Sequence, residues 1–482
     1  MKSNICPDTG SIDYSRKWHS MAAVGIGVFL ATVDGSIINV SLPTLVRELH
    51  TEFSIVQWVV LAYLLTITST MAGIGRLADM VGKKSIYSTG FAVFTLGSAL
   101  CGLSPSVEWL IGFRVLQAIG AAMIMALGAA IVTEAFPPAE RGKAMGIIGG
   151  IVSMGIVTGP ALGGVILSLL SWRWIFYVNF PVGIFGIIMV VKHLPDLKPM
   201  GHQRFDIWGA LLMCSSILCL LLGLTLGQQQ GFLQPLVFML LVSCLVLLII
   251  FIVTEHRVAQ PMINMGLFTN KIFSVNLTSG FISFVSLGGT MLLLPFYLEN
   301  ILGFPSMKVG LLMGIVPLML GITAPISGML SDRVGSRMIS MAGIMLMFTG
   351  FLAASTLKQD TTVLGYALRI FAVGAGIGIF ISPNNSAIMG SAPLQQLGIV
   401  SGMMAQSRTL GQTVGIAVIG AIWAGRTIFY AGNVSGADAT QASIAAQIGG
   451  LHDAFLTAAG FLTIALIFNI WICVKDSRFA GE

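Results

Sequence analysis

Apolar runs of about 20 residues recur fourteen times along this chain of 482 residues, and each is long enough to cross roughly 30 Å of hydrocarbon. Within lipid the backbone must satisfy its own polar groups, so each run is expected to be a helix. The period-two alternation of a transmembrane barrel is absent. The runs fall near residues 18–41, 54–75, 85–104, 108–134, 143–169, 173–192, 207–227, 234–254, 272–299, 309–330, 338–356, 364–387, 401–424 and 453–475. Charged residues make up only 9% of the chain, against about 25% in a soluble domain. A water-soluble globule is thereby excluded, and the sequence predicts an all-α membrane protein.

The formal charge of +6 does not point to nucleic acid, because the basic residues sit in short segments between apolar runs, where they set membrane orientation. With the N-terminus inside, the inner segments hold seventeen Lys and Arg, and the outer segments hold only Arg47, Arg173, Lys308, Lys358 and Arg426. That bias requires an even number of spans with both termini cytoplasmic. Residues 1–17 lack the apolar core of a signal peptide and read as a retained cytoplasmic tail. The six cysteines show no metal-ligand spacing and read as packing residues.

An internal repeat divides the helices. Gly75, Asp79, Gly82 and Lys84 recur as Gly328, Asp332, Gly335 and Arg337, each pair offset by 328 − 75 = 253 positions. Both copies follow the second helix of a six-helix set, an organisation that builds two halves around a midplane site. The expected layout is a bundle over 18–192, a linker with two extra helices over 193–271, and a second bundle over 272–482. In the repeated motif, glycine supplies a tight turn between helices. Asp79 can sit against helix N-terminal amides or a nearby arginine such as Arg141, a contact that makes or breaks as the halves rock. Lys83, Lys84, Arg333 and Arg337 add the orienting charge.

Charges inside the spans carry the functional reading. Helix 1 contains Asp34 and helix 4 contains Arg114. The two helices run in opposite directions, and at about 1.5 Å per residue both charges fall in the outer half at similar depth. Asp34 is the one acid well inside any expected span, which makes it the proton-binding candidate, with Arg114 as its partner. A static ion pair that fixes helix packing is the competing reading. Asn39, Gln117 and Arg408 are candidates to line a substrate cavity. Arg408 reads equally as an anion-binding residue or as a lock between helices. Helix 5 carries Gly146, Gly155, Gly159, Pro160, Gly163 and Gly164, a set that permits close backbone approach and a bend.

These residues resemble the major facilitator superfamily, and in particular its fourteen-helix drug:proton antiporters. The whole helix 5 pattern is similar to that superfamily's antiporter motif. The segment from Asp34 to Pro43 is similar to a signature of the fourteen-helix group, as are Trp172 to Phe176 with Asn179 and Pro181, and Phe205-Asp206. The resemblance runs from about residue 18 to the end. It implies two six-helix bundles plus two inserted helices, alternating access, and export of lipophilic compounds driven by proton influx across a bacterial inner membrane. Two positions depart from the pattern, Met80 for Arg and Ala118 for Gly. Helices 10 to 13 carry no acid at depth, unlike exporters of dications.

The function expected from the sequence is therefore a proton-coupled exporter of amphiphilic small molecules, dependent on the proton gradient and on no cofactor or metal. The alternatives are export of a lipid, siderophore or metabolite on the same fold, or a non-transporting receptor or assembly subunit. No nucleophile–base constellation or phosphate-binding loop points to an enzyme. The expected partners are the substrate, protons and the lipid bilayer; a periplasmic adaptor is left open.

Overall fold

The structure is a computed structural model that describes residues 16–51, 53–194, 205–258, 260–432, 439 and 442–479. Fourteen of its helices are long and apolar enough to cross a membrane. They are α1 (Lys17–Leu42), α2 (Ile55–Val81), α3 (Lys83–Gly102), α4 (Val107–Ala135), α5 (Pro138–Leu169), α6 (Trp174–His193) and α7 (Ile207–Gly227). There follow α8 (Pro235–Glu255), α9 (Lys271–Ile301), α10 (Lys308–Val334), α11 (Ser336–Ser355), α12 (Val363–Gly390), α13 (Leu394–Tyr430) and α14 (Ile444–Trp471). The expected tail over 1–15 and most of the segment after α6 lie outside the described residues. The last span begins at Ile444 rather than near 453, because the polar Gln447 and His452 are carried on its first turns. Both bond to backbone carbonyls there, of Ala442 and Ser355.

The 253-residue repeat is realised as packing. In the first set α1 packs on α4, α5 and α6, while α4 also packs on α2 and α3. In the second set α9 packs on α12, α13 and α14, and α12 also packs on α10 and α11. Each set has its own aromatic core, around Tyr87, Phe91 and Phe94 in the first and Tyr366, Phe351 and Phe455 in the second. The sets meet along two equivalent seams, α5 against α10 and α2 against α13. The helices α7 and α8 pair with each other, and α7 also rests on α2 and α13. Phe238, Leu245 and Ile249 of α8 stay exposed, as a lipid-facing surface requires. Beyond α8, Met262, Ile263 and Leu267 are buried in the first core.

The turn expected of glycine in the repeated motif falls to one of its two glycines in each copy. Gly75 and Gly328 make no turn; each lies inside a helix, α2 or α10. The turns are made by Gly82 at φ 112° and Gly335 at φ 100°, a backbone region in which a Cβ is strained. The connections α2–α3 and α10–α11 are each that single glycine, because nothing in Arg76 to Val81 or Met329 to Val334 stops a helix earlier.

Candidate functional site

Asp34 lies 1% exposed in the first bundle, about 17 residues from the start of α1. Its Oδ2 accepts from Arg114 Nη1 of α4 at 2.6 Å. Its Oδ1 accepts from Gln117 Nε2 at 2.8 Å and from Asn179 Nδ2 of α6 at 2.8 Å. Asn179 also donates to Ser98 Oγ of α3 at 3.0 Å, and Ser98 donates to the Phe176 carbonyl at 2.9 Å. Arg114 is fully buried; it donates to the Val59 carbonyl of α2 at 3.2 Å and to Gln117 Oε1 at 2.8 Å. Its guanidinium lies over the Tyr63 ring, 3.9 Å from the centroid. A delocalised cation over a ring face gains quadrupole attraction where no water competes. One donor, Arg114 Nη2, is buried without a partner.

Side chains of α4 and α6 therefore hold the α1 carboxylate, and the Val59 carbonyl of α2 and Ser98 of α3 hold Arg114 and Asn179 in turn. Local packing makes this possible: at Gly97 of α3 a Cβ would meet the Gln117 backbone at 2.7 Å. The chemistry follows from donor and acceptor accounting. An ionised carboxylate is acceptor-only, and here both oxygens are occupied by donors. A proton on either oxygen would add an O–H donor and reduce that atom's acceptor capacity, which changes the hydrogen bonds the cluster can make. Gln117, expected at the substrate cavity, is fully buried in this cluster instead. Asn39 is exposed and reaches only the Gly35 carbonyl, at 3.5 Å.

At the end of the molecule that carries Lys83, Lys143 and Arg333, the two bundles exchange aspartates. Asp79 accepts from the Gly398 and Ile399 amides at 2.8 and 2.9 Å, at the start of the α13 helix. Asp332 accepts from the Gly142 and Lys143 amides at 2.8 and 2.9 Å, at the start of α5. Each bundle thus lends a carboxylate to the positive end of a helix in the other. Lys83 bridges Asp79 and Glu134, at 2.9 Å to each. The seams close because their small residues permit backbone contact. A Cβ on Gly75 would lie 2.3 Å from the Gly398 carbonyl, and one on Gly328 would lie 2.2 Å from the Gly142 carbonyl. Gln406 Nε2 continues the α2–α13 seam by donating to the Thr68 carbonyl at 2.8 Å, and Ser153 donates to the Pro317 carbonyl in the other.

The helix 5 motif divides between two neighbours. Gly146 faces Ala324 and Pro325 of α10 across the seam, whereas Gly155, Gly159 and Gly163 face Thr32, Ser36 and Ile37 of α1. Gly164 faces open space, and Pro160 is exposed. Arg408 lines a cleft between the bundles together with Val28, Met125, Phe284, Asn384 and Ser401. Arg369 has no acid among its described partners; it caps the end of α11 through the Ala353 carbonyl at 3.1 Å. No group of three or more His, Cys, Asp or Glu that could hold a metal occurs among the described residues.

Two pseudo-equivalent six-helix sets, aspartates traded across a closed end and a cleft between the sets are the architecture of a membrane transporter. The family profile of the Major Facilitator Superfamily matches residues 24–204 and 203–416, and the chain belongs to that superfamily. Its relatives include the riboflavin transporter RibZ of Clostridioides difficile (strain 630), 34% identical over 96% of this chain and 99% of that protein. The multidrug transporter protein MdtP of Bacillus subtilis (strain 168) is 31% identical over 89% of this chain and 80% of its own. Among solved structures, the human organic anion transporter MFSD10 superposes with a TM-score of 0.67 at 15% identity, over 94% of this chain and 99% of its own. The chain is a multi-pass transporter of that superfamily, not an enzyme.

Proposed function

We propose that the protein is a proton-coupled antiporter that exports amphiphilic small molecules from a bacterial cell. Its basic end and both termini face the cytoplasm, following the excess of Lys and Arg there. The observation that carries this reading is the Asp34 cluster, where Arg114, Gln117 and Asn179 all donate to one buried carboxylate. In the state described, the basic end is closed by Asp79 and Asp332. Protonation of Asp34 from the outside frees Arg114 and loosens α1 against α4 and α6, which favours the opposite state. Substrate then binds from the cytoplasm, the proton is released inward, and the seams close again.

The test uses purified protein in liposomes with an imposed pH gradient and a panel of amphiphilic compounds. Asp34→Asn is expected to abolish gradient-driven flux while keeping cooperative thermal unfolding. Wild-type flux in that variant overturns the assignment. A second reading keeps the fold and changes the cargo to a metabolite, and the named riboflavin transporter at 34% identity supports it. Riboflavin that competes with every other compound, and is itself the best substrate, would favour this alternative.

A further inference from the structure

The cleft between the bundles has one sign of charge. It lies between α1, α4, α5, α9, α12 and α13, at about mid-depth, since Arg408 is some three turns into α13 from its basic end. Its walls are apolar and adaptable, with Met125, Met145 and Met404 facing Phe284 and Phe380. Its polar groups are Asn384, Asn385, Ser401, Ser407 and Arg408, with no Asp or Glu among them. Arg408 forms no ion pair among the described residues, in contrast to Arg114, which is matched by Asp34. A second unmet group lines the same cleft: Asn384 is 2% exposed, and its Oδ1 has no partner. That amide is free to turn its donor toward a ligand. Gly280 of α9 keeps the space next to it open, since a Cβ there would reach the Asn384 amide at 3.4 Å.

A guanidinium at mid-depth without a counter-charge is costly, and the cost is recovered when an anion arrives. Its fork of donors matches a planar carboxylate in two parallel hydrogen bonds, which an ammonium cannot reproduce. We infer that the cleft selects amphiphiles bearing a carboxylate, with Arg408 as the anion-binding residue, Asn384 as a second donor, and the Met and Phe walls holding an apolar body. This deepens the exporter reading and rests on it. It also gives the missing acids of α10 to α13 a meaning: a site without carboxylates rejects cations less by shape than by charge.

The experiment compares three dyes that share one fluorophore and differ in charge: dansylglycine, its methyl ester, and the cationic dansylethylenediamine. Each is loaded into proteoliposomes and its pH-gradient-driven flux is measured. The carboxylate is expected to be carried at least about tenfold faster than the ester at equal concentration, as hydrogen bonds to charged groups imply, with the cation slowest. In Arg408→Gln the carboxylate-to-ester ratio should fall about tenfold, and in Arg408→Lys it should fall by a smaller factor. Asn384→Ala should lower it as well. Gradient-driven flux of the ester or cation equal to that of the carboxylate, or a ratio unchanged in Arg408→Gln, overturns carboxylate selection while leaving the exporter reading intact. Absence of gradient-driven flux for all three dyes overturns both.

Discussion

At the scale of single residues, the Asp34 cluster ranks its own members by charge. Removing Arg114 leaves a buried carboxylate without its cation, a loss of about 3–5 kcal/mol. Removing Asn179 takes away one neutral donor to Oδ1 and the acceptor-side partner of Ser98, worth about 1–3 kcal/mol. Arg114→Ala is therefore expected to lower the thermal unfolding temperature in detergent more than Asn179→Ala does. Equal or reversed losses would mean that the pair is screened and the cluster is not closed to water. The pairing of Asp34 with Arg114 was legible in the sequence, because helix direction and depth place both charges at one level. Asn179, Ser98 and the Val59 carbonyl were not, since which neutral side chain turns inward depends on helix rotation and close approach, as at Gly97. Asn179 did stand within the family signature after Trp172, where its polar amide among apolar neighbours was the available signal.

At the scale of elements, the repeated motif acts as a clasp on helix ends. Gly75 permits α2 to touch α13 through the Gly398 carbonyl, and Asp79 then holds the two amides that follow. Gly75→Ala blocks the approach, and Asp79→Asn weakens the bonds by removing the charge that favours a helix N-terminus. Both variants are expected to shift the protein toward the state open at its basic end. The readout is maleimide labelling of Ser401→Cys in a cysteine-free background, because Ser401 lines the cleft and is 1% exposed. Labelling should accelerate in both variants and stay at the parental rate in Gly164→Ala, where a Cβ meets nothing within 4 Å. Parental rates in Gly75→Ala would deny the seam a role in closure. The offset of 253 residues made the two copies of the motif visible. Their partners, Gly398 and Gly142, carry no mark in the sequence, because their role is to offer backbone amides and carbonyls across a seam, and backbone groups are the same at every position. The motif's glycines divide the work, Gly82 and Gly335 making the turn and Gly75 and Gly328 the close approach, and spacing alone does not separate the two uses.

At the scale of the whole molecule, the charge balance of the two sites fixes how the membrane potential acts. Among the described residues Asp34 is the one buried acid away from the basic end, so the antiport proposed above carries one proton per cycle. With a cationic substrate, exchange of one proton for one cation moves no net charge. With a neutral substrate it moves one charge, and with a monoanion, as Arg408 implies, it moves two. Each charge contributes about 2.3 kcal/mol per 100 mV, so at constant pH gradient a potential of 100 mV, negative on the substrate side, drives carboxylate export by about 4.6 kcal/mol. In proteoliposomes with valinomycin and a potassium gradient of that polarity, dansylglycine flux should rise steeply with potential. Flux of its methyl ester should rise more weakly, and Asp34→Asn should lose the coupling to pH for both. A carboxylate flux indifferent to potential would require two cations to leave with the anion, or one cation to leave with it and no proton to enter, and so would overturn the one-acid, one-proton scheme. Dependence on potential would tie the composition of both clusters, one acid against one arginine in the first bundle and one unmatched arginine in the cleft, to the direction in which the transporter runs.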